Sequence, residues 1–129
     1  FRDIDVKQLQ DEQCETTVTL RWQDEEAEWS GSAVGSASQS GTLRCAAEAT
    51  VQALEKAVGN KIRLDLIGVK SISAFDAMVV VVSLSSHFDD RNQRLVGSCI
   101  IKGQPSRAVA LAVLGATNRL LGDNFVYLR

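Results

Sequence analysis

Residues 16–22, TTVTLRW, alternate polar and apolar positions: Val18, Leu20 and Trp22 fall on one side, Thr17, Thr19 and Arg21 on the other. A period of two predicts a strand with one face in a core. Asp24, Glu25 and Glu26 supply a turn, after which a partner strand is predicted over 27–33. Segment 30–41, SGSAVGSASQSG, is built almost wholly of small residues and reads as a mobile loop leading into a helix, with Ser40 as its cap. From 41 to 59 the spacing changes to three and four. Leu43, Ala47, Val51, Leu54 and Val58 share a stripe, which predicts a helix that Gly59 stops.

The second half repeats these patterns. Ile62, Leu64 and Leu66 alternate, and the phase slips at Ile67 and Gly68, as a β-bulge would make it do. Residues 78–86, MVVVVSLSS, are apolar on both faces and predict a central strand. The polar stretch 87–94 is expected as a turn and 95–101 as the next strand. Pro105 suits the first position of a second helix. Val109, Val113, Ala116 and Leu120 form its stripe, Ala110, Leu114 and Leu121 widen it, and Gly122 is its expected end. The tail, 123–129, adds a short strand or packs back on the core. The order is β-β-α-β-β-β-α: an α+β fold, an antiparallel sheet with two helices on one face. Residues 1–15 are polar with weak periodicity and read as a linker, an N-terminal extension or a frayed helix, ahead of a single domain over 16–129.

At 129 residues, 45 % apolar and 23 % charged, the chain has the size and balance of one globular domain. No apolar run is long enough to span a membrane, and no secretory leader is apparent. Phe1 in first position reads as the mark of a piece of a longer chain. Cys14, Cys45 and Cys99 are odd in number and widely spaced, which fits thiols in a reducing, cytoplasmic setting better than disulfides or a zinc site. Net charge is −2, unevenly spread: residues 1–30 carry nine acids against three bases, and the remainder seven acids against eleven bases. A scatter of that size reads first as a solvated surface, with an anion-seeking face on the core as the alternative.

Candidate chemistry is sparse. No nucleophile with a base, no phosphate loop and no ligand spacing for a metal emerges, so no catalytic residue, metal or cofactor is expected. His87 is expected as a surface histidine in a turn, and Asp76 as a turn residue before the most apolar strand. Small residues allow backbone N–H groups close to a ligand, and a helix start carries partial positive charge. A small-anion site is therefore expected where Gly31, Gly35 and Gly41 meet the start of the second helix, with Lys102, Gly103, Ser106 and Arg107. Val79, Val80, Val81 and Val82 present apolar groups to both faces while one helix layer covers only one. A homodimer interface is expected there.

The same segments carry a resemblance. TTVTLRW, the stretch SGSAVGSASQSGTLRCAAEATVQAL, the stretch LIGVKSISAFDAMVVVVSLSS with its Asp76–Ala77 step, and AVALAVLGATNRLL with Asn118 resemble the C-terminal regulatory domain of 2-isopropylmalate and citramalate synthases. The resemblance covers about residues 16–121 and implies a dimerising, non-catalytic domain that senses a small effector. Two departures bear on that effector: a longer Ser/Ala/Gly segment replaces the family's Gly-Pro-x-Asp-Ala opening of the first helix, and Gln104 and Arg107 stand where acids are usual. Leucine or isoleucine feedback therefore does not carry over. Residues 41–121 alone also follow the α-β-β-β-α order of double-stranded-RNA-binding domains. Only Lys102 and Arg107 occupy the place of those domains' lysine cluster, which makes RNA the weaker expectation.

Overall fold

A computed structural model of the chain describes residues 3–8, 13–21, 28–36 and 38–128, with side chains placed over 15–21, 28–36 and 38–118. Six strands and two helices follow in the order β1 (Asp3–Gln8), β2 (Gln13–Arg21), β3 (Glu28–Ser36), α1 (Gln39–Ala57), β4 (Arg63–Ala74), β5 (Ala77–Phe88), β6 (Arg91–Ile100) and α2 (Pro105–Leu128). From β2 onward this is the expected β-β-α-β-β-β-α order of an α+β fold. The segment read as a linker or frayed helix adds β1, antiparallel to β2 with Val6 opposite Val18. The strands divide into two antiparallel sheets, β1-β2-β3 and β4-β5-β6, so the molecule is a βββα unit stated twice.

Each sheet buries the face its alternation assigns. Val18 and Leu20 of β2, Ala33 of β3, Val80, Val82 and Leu84 of β5 and Leu95 of β6 lie in one core with α1 and α2. α1 packs on β2 and β3, α2 on β5 and β6, and the helices pack on each other. That double duty explains why α1 is buried at Ala46, Ala47, Ala49, Thr50, Ala53 and Leu54, well beyond a single stripe. Its small side chains let two layers approach, and Thr50 satisfies its hydroxyl by donating to the Ala46 carbonyl at 2.7 Å. No helix among the described residues is long and apolar enough to cross a membrane.

Several boundaries differ from expectation. Segment 30–41 is strand to Ser36, and α1 begins at Gln39 with Ser38, not Ser40, as cap; its hydroxyl accepts from the Gly41 N–H at 3.1 Å. Small residues have the composition of a loop, yet here they permit contact. A Cβ on Gly31 would lie 2.2 Å from the Ala49 carbonyl oxygen, so only glycine lets β3 lie this close to α1. Gly97 of β6 meets the Ala112 carbonyl oxygen at 2.1 Å by the same measure, the matching place in the second unit. The slip at Ile67 and Gly68 is a register shift between Leu66 and Gly68. The polar stretch 87–94 shrinks to a two-residue turn, Asp89 and Asp90, both with positive φ as a type I′ hairpin requires. α1 ends as expected, with Gly59 at φ 64°. α2 runs past Gly122 to Leu128, because one interior glycine costs only about 1 kcal/mol and does not break a helix. Trp22, expected on the apolar side of its strand, and the expected turn at Asp24, Glu25 and Glu26 lie outside the described residues.

Candidate functional site

The two sheets differ most on the faces turned away from the helices. On β2 and β3 that face is polar and self-satisfied: Thr17 pairs with Ser32 at 2.9 Å, Thr19 with Ser30 at 3.0 Å, and the Arg21 guanidinium donates to Glu28 at 2.7 Å. Such a ladder is at home in water. On the β4-β5-β6 sheet the corresponding face reads in rows across the strands. From the β4–β5 turn outward they are Ile72, Val79, Ile100; Lys70, Val81, Ser98; Gly68, Ser83, Val96; Asp65, Ser85, Arg94; and Arg63, His87, Asn92. Val96 is 63 % exposed, Ile100 51 % and Ile72 44 %. The first face carries one exposed aliphatic side chain among its described residues, Val34, whereas the second gathers five, Ile72, Val79, Val81, Val96 and Ile100, toward the end nearer the β4–β5 turn.

The four valines expected as an interface split by strand alternation. Val80 and Val82 are fully buried against the helices, and Val79 and Val81 stand half-buried on the outer face. An apolar run does not use both faces in the same way; its odd and even members belong to different surroundings. Val96, Ile100 and Ile72 complete the patch, and the sequence reading missed them. The alternation in LVGSCII, with Leu95 and Cys99 inward and Val96 and Ile100 outward, is the signal that could have found them.

At the far end of that face His87 is not in a turn. It sits on β5 with Nε2 2.9 Å from Asp65 Oδ2 on β4 and Nδ1 2.5 Å from Asn92 Oδ1 on β6. Arg63 also approaches Asp65, at 3.4 Å. The histidine ties three strands together by side chains. Among the described residues no group of three His, Cys, Asp or Glu converges as a metal site would need. Asp76 occupies the β4–β5 turn with Phe75, both at positive φ.

A second feature is a pocket of about 400 Å³ between the end of β6 and the start of α2, lined by Cys99, Ile100, Lys102, Arg107, Ala108 and Leu111. Two cations over an apolar floor suit a small carboxylate with an apolar body. Of the expected anion-site residues, Lys102 and Arg107 line it. Gly103, at φ 78°, only turns the chain, and Ser106 is buried in the first turn of α2. Gly31 and Gly35 are elsewhere, packed against α1, where a Cβ on Gly35 would lie 2.7 Å from Cys45 Sγ; Gly41 lies against Ser36 at the start of α1. The expected meeting of a glycine loop with the second helix is therefore replaced by a site from the end of β6, the connection at Lys102 and the start of α2. Cys45 and Cys99 are thiols, the first buried and the second half-buried at the pocket. Cys14's side chain lies outside those described.

Neither a family model nor a curated protein matches the chain.

Proposed function

We propose that this chain is a non-catalytic assembly module that pairs with a second copy through the outer face of its β4-β5-β6 sheet. The observation carrying this reading is the contrast between the two outer faces, one a Thr/Ser ladder with the single exposed aliphatic Val34 and the other a patch containing Ile72, Val79, Val81, Val96 and Ile100. Exposed contiguous aliphatic surface on an otherwise well-packed domain marks an association site. The resemblance to the synthase regulatory domains, which dimerise, supports the same reading. Sedimentation of the isolated chain from low to high micromolar concentration should show a monomer–dimer equilibrium. Val96→Glu, at an exposed strand position, should leave the fold intact and weaken that equilibrium at least about tenfold. A wild-type monomer throughout the range overturns the proposal.

The pocket at the start of α2 supports a second role, sensing of a small anionic metabolite. Lys102 and Arg107 provide charge, while Ile100 and Leu111 provide an apolar wall. With only these two cations at the helix start, a duplex RNA backbone is the poorer fit, since its binding scales with the number of phosphates neutralised. A thermal-shift panel of amino acids, 2-oxo acids and nucleotides is the direct test. For any anion that raises the melting temperature, Arg107→Glu should weaken binding by about 1–3 kcal/mol.

A further inference from the structure

We infer that the two copies pack face to face about a two-fold axis running along β5, so that the two β5 strands are parallel and β4 of each copy lies over β6 of the other. This rests on the self-association proposed above and adds its geometry. A two-fold relating facing sheets must lie in the interface plane, and the strand rows discriminate between its directions. With the axis along β5 each row meets itself, with β4 and β6 exchanged. Ile72 then faces Ile100 of the second copy, the apolar row stays with the apolar row, and Asp65 faces the opposite charge of Arg94. Val96, the most exposed aliphatic side chain of the patch, faces Gly68, where a Cβ would meet nothing within 4 Å. A projecting side chain thus meets a gap left by the bulge.

An axis across the strands fails on the same rows. Centred at Ser83, it lays Ile72 over Arg63 and buries a guanidinium under an aliphatic side chain. Centred at Val81, it sets Lys70 against Lys70 of the second copy. The turn between β4 and β5 adds an independent argument. Phe75 is wholly exposed there at φ 53°, a conformation a bulky side chain rarely adopts. Only the axis along β5 brings the two turns to one end, with each Phe75 near its counterpart's turn. Packed sheets cross at about 30°, so registration is tightest near Val81 and Ser83 and loosens toward the ends. Rows about 6.8 Å apart on strands about 4.8 Å apart give roughly 500 Å² of sheet per copy. A pair buries about 1,000 Å², the lower limit for a specific interface, so the dimer is weak.

The test uses charge reversal and mixing. Asp65→Arg alone and Arg94→Asp alone each set like charges together twice in a homodimer, and each should lose at least tenfold in association. Mixed one to one, they form a heterodimer in which both contacts are again opposite in charge, and association should return to near the wild-type level. Spin labels carried on an unnatural ketone side chain at position 75 or at position 89 give a readout that leaves the strands untouched. Both label pairs should lie within about 25 Å, whereas an axis across the strands puts each pair about 45–50 Å apart. Association of the wild type with no gain on mixing, or with long distances at both turns, overturns the axis while the self-association reading stands. A wild-type monomer overturns both.

Discussion

Gly31 and Gly97 show how much the fold rests on single missing side chains. Each sits on the third strand of its unit, beneath a pair of alanines one helical turn apart, Ala49 and Ala53 for the first and Ala112 and Ala116 for the second. The strand and helix backbones approach so closely that a methyl group would overlap a carbonyl oxygen. That contact is rigid, because backbone atoms on both sides belong to hydrogen-bonded elements. Gly97→Ala should therefore lower stability by about 3 kcal/mol in a urea titration, near the top of the range for overpacked cores. Gly68 and Gly103 have open space around the missing Cβ, so their glycines answer to a bulge and a turn rather than to packing.

Among the elements, β5 decides most. Its alternation sorts MVVVVSLSS into a core row of Val80, Val82 and Leu84 and an outer row of Val79, Val81 and Ser83. The same residue type then has two different jobs at adjacent positions. Val80→Ala should cost about 2–3 kcal/mol of unfolding free energy by leaving a cavity under the helices. Val81→Ala should cost under about 1 kcal/mol at concentrations where the chain is monomeric, yet weaken association at high concentration. Equilibrium unfolding at low concentration, paired with sedimentation at high concentration, separates the two effects; equal losses of stability would contradict this division of the strand. The pattern of apolar runs, turns and stripes made most elements legible: β2, α1, the bulge in β4, β5, β6 and the start of α2. It reached β3 only as far as residue 33, because the serines, alanines and glycines there carry no hydrophobic period, and it failed at β1, where acidic and amide residues mask a short alternation.

For the whole molecule, two βββα units share a core through their helices, and among the described residues the aliphatic side chains turned outward gather mostly on the β4-β5-β6 sheet. The dimerisation proposed on that face would stabilise the folded state by mass action. The melting temperature of the wild type should therefore rise with protein concentration, while that of Val96→Glu stays constant in calorimetric scans. Of the candidate sites, the cations Lys102 and Arg107 were readable from the sequence because a proline-led helix start announces where they stand. Their partners in the pocket, Cys99, Ile100 and Leu111, stand close by in sequence, but a strand end and the second turn of a helix face one cavity only through the turn at Gly103.

The sequence by itself determined which residues are apolar, at what period, and where the chain must turn, and those local rules specify the α+β order and the core positions of β2, β5 and both helices. Only the tertiary structure decided that the strands form two sheets, that β3 runs on to Ser36 and lies against a helix, and that Val96, Ile72 and Ile100 gather on one face beside Asp65 and Arg94. The physical reason is that period and turn chemistry act between neighbours along the chain. Sheet partition and the composition of an outer face depend on register between strands, and register is set by packing against helices far away in sequence.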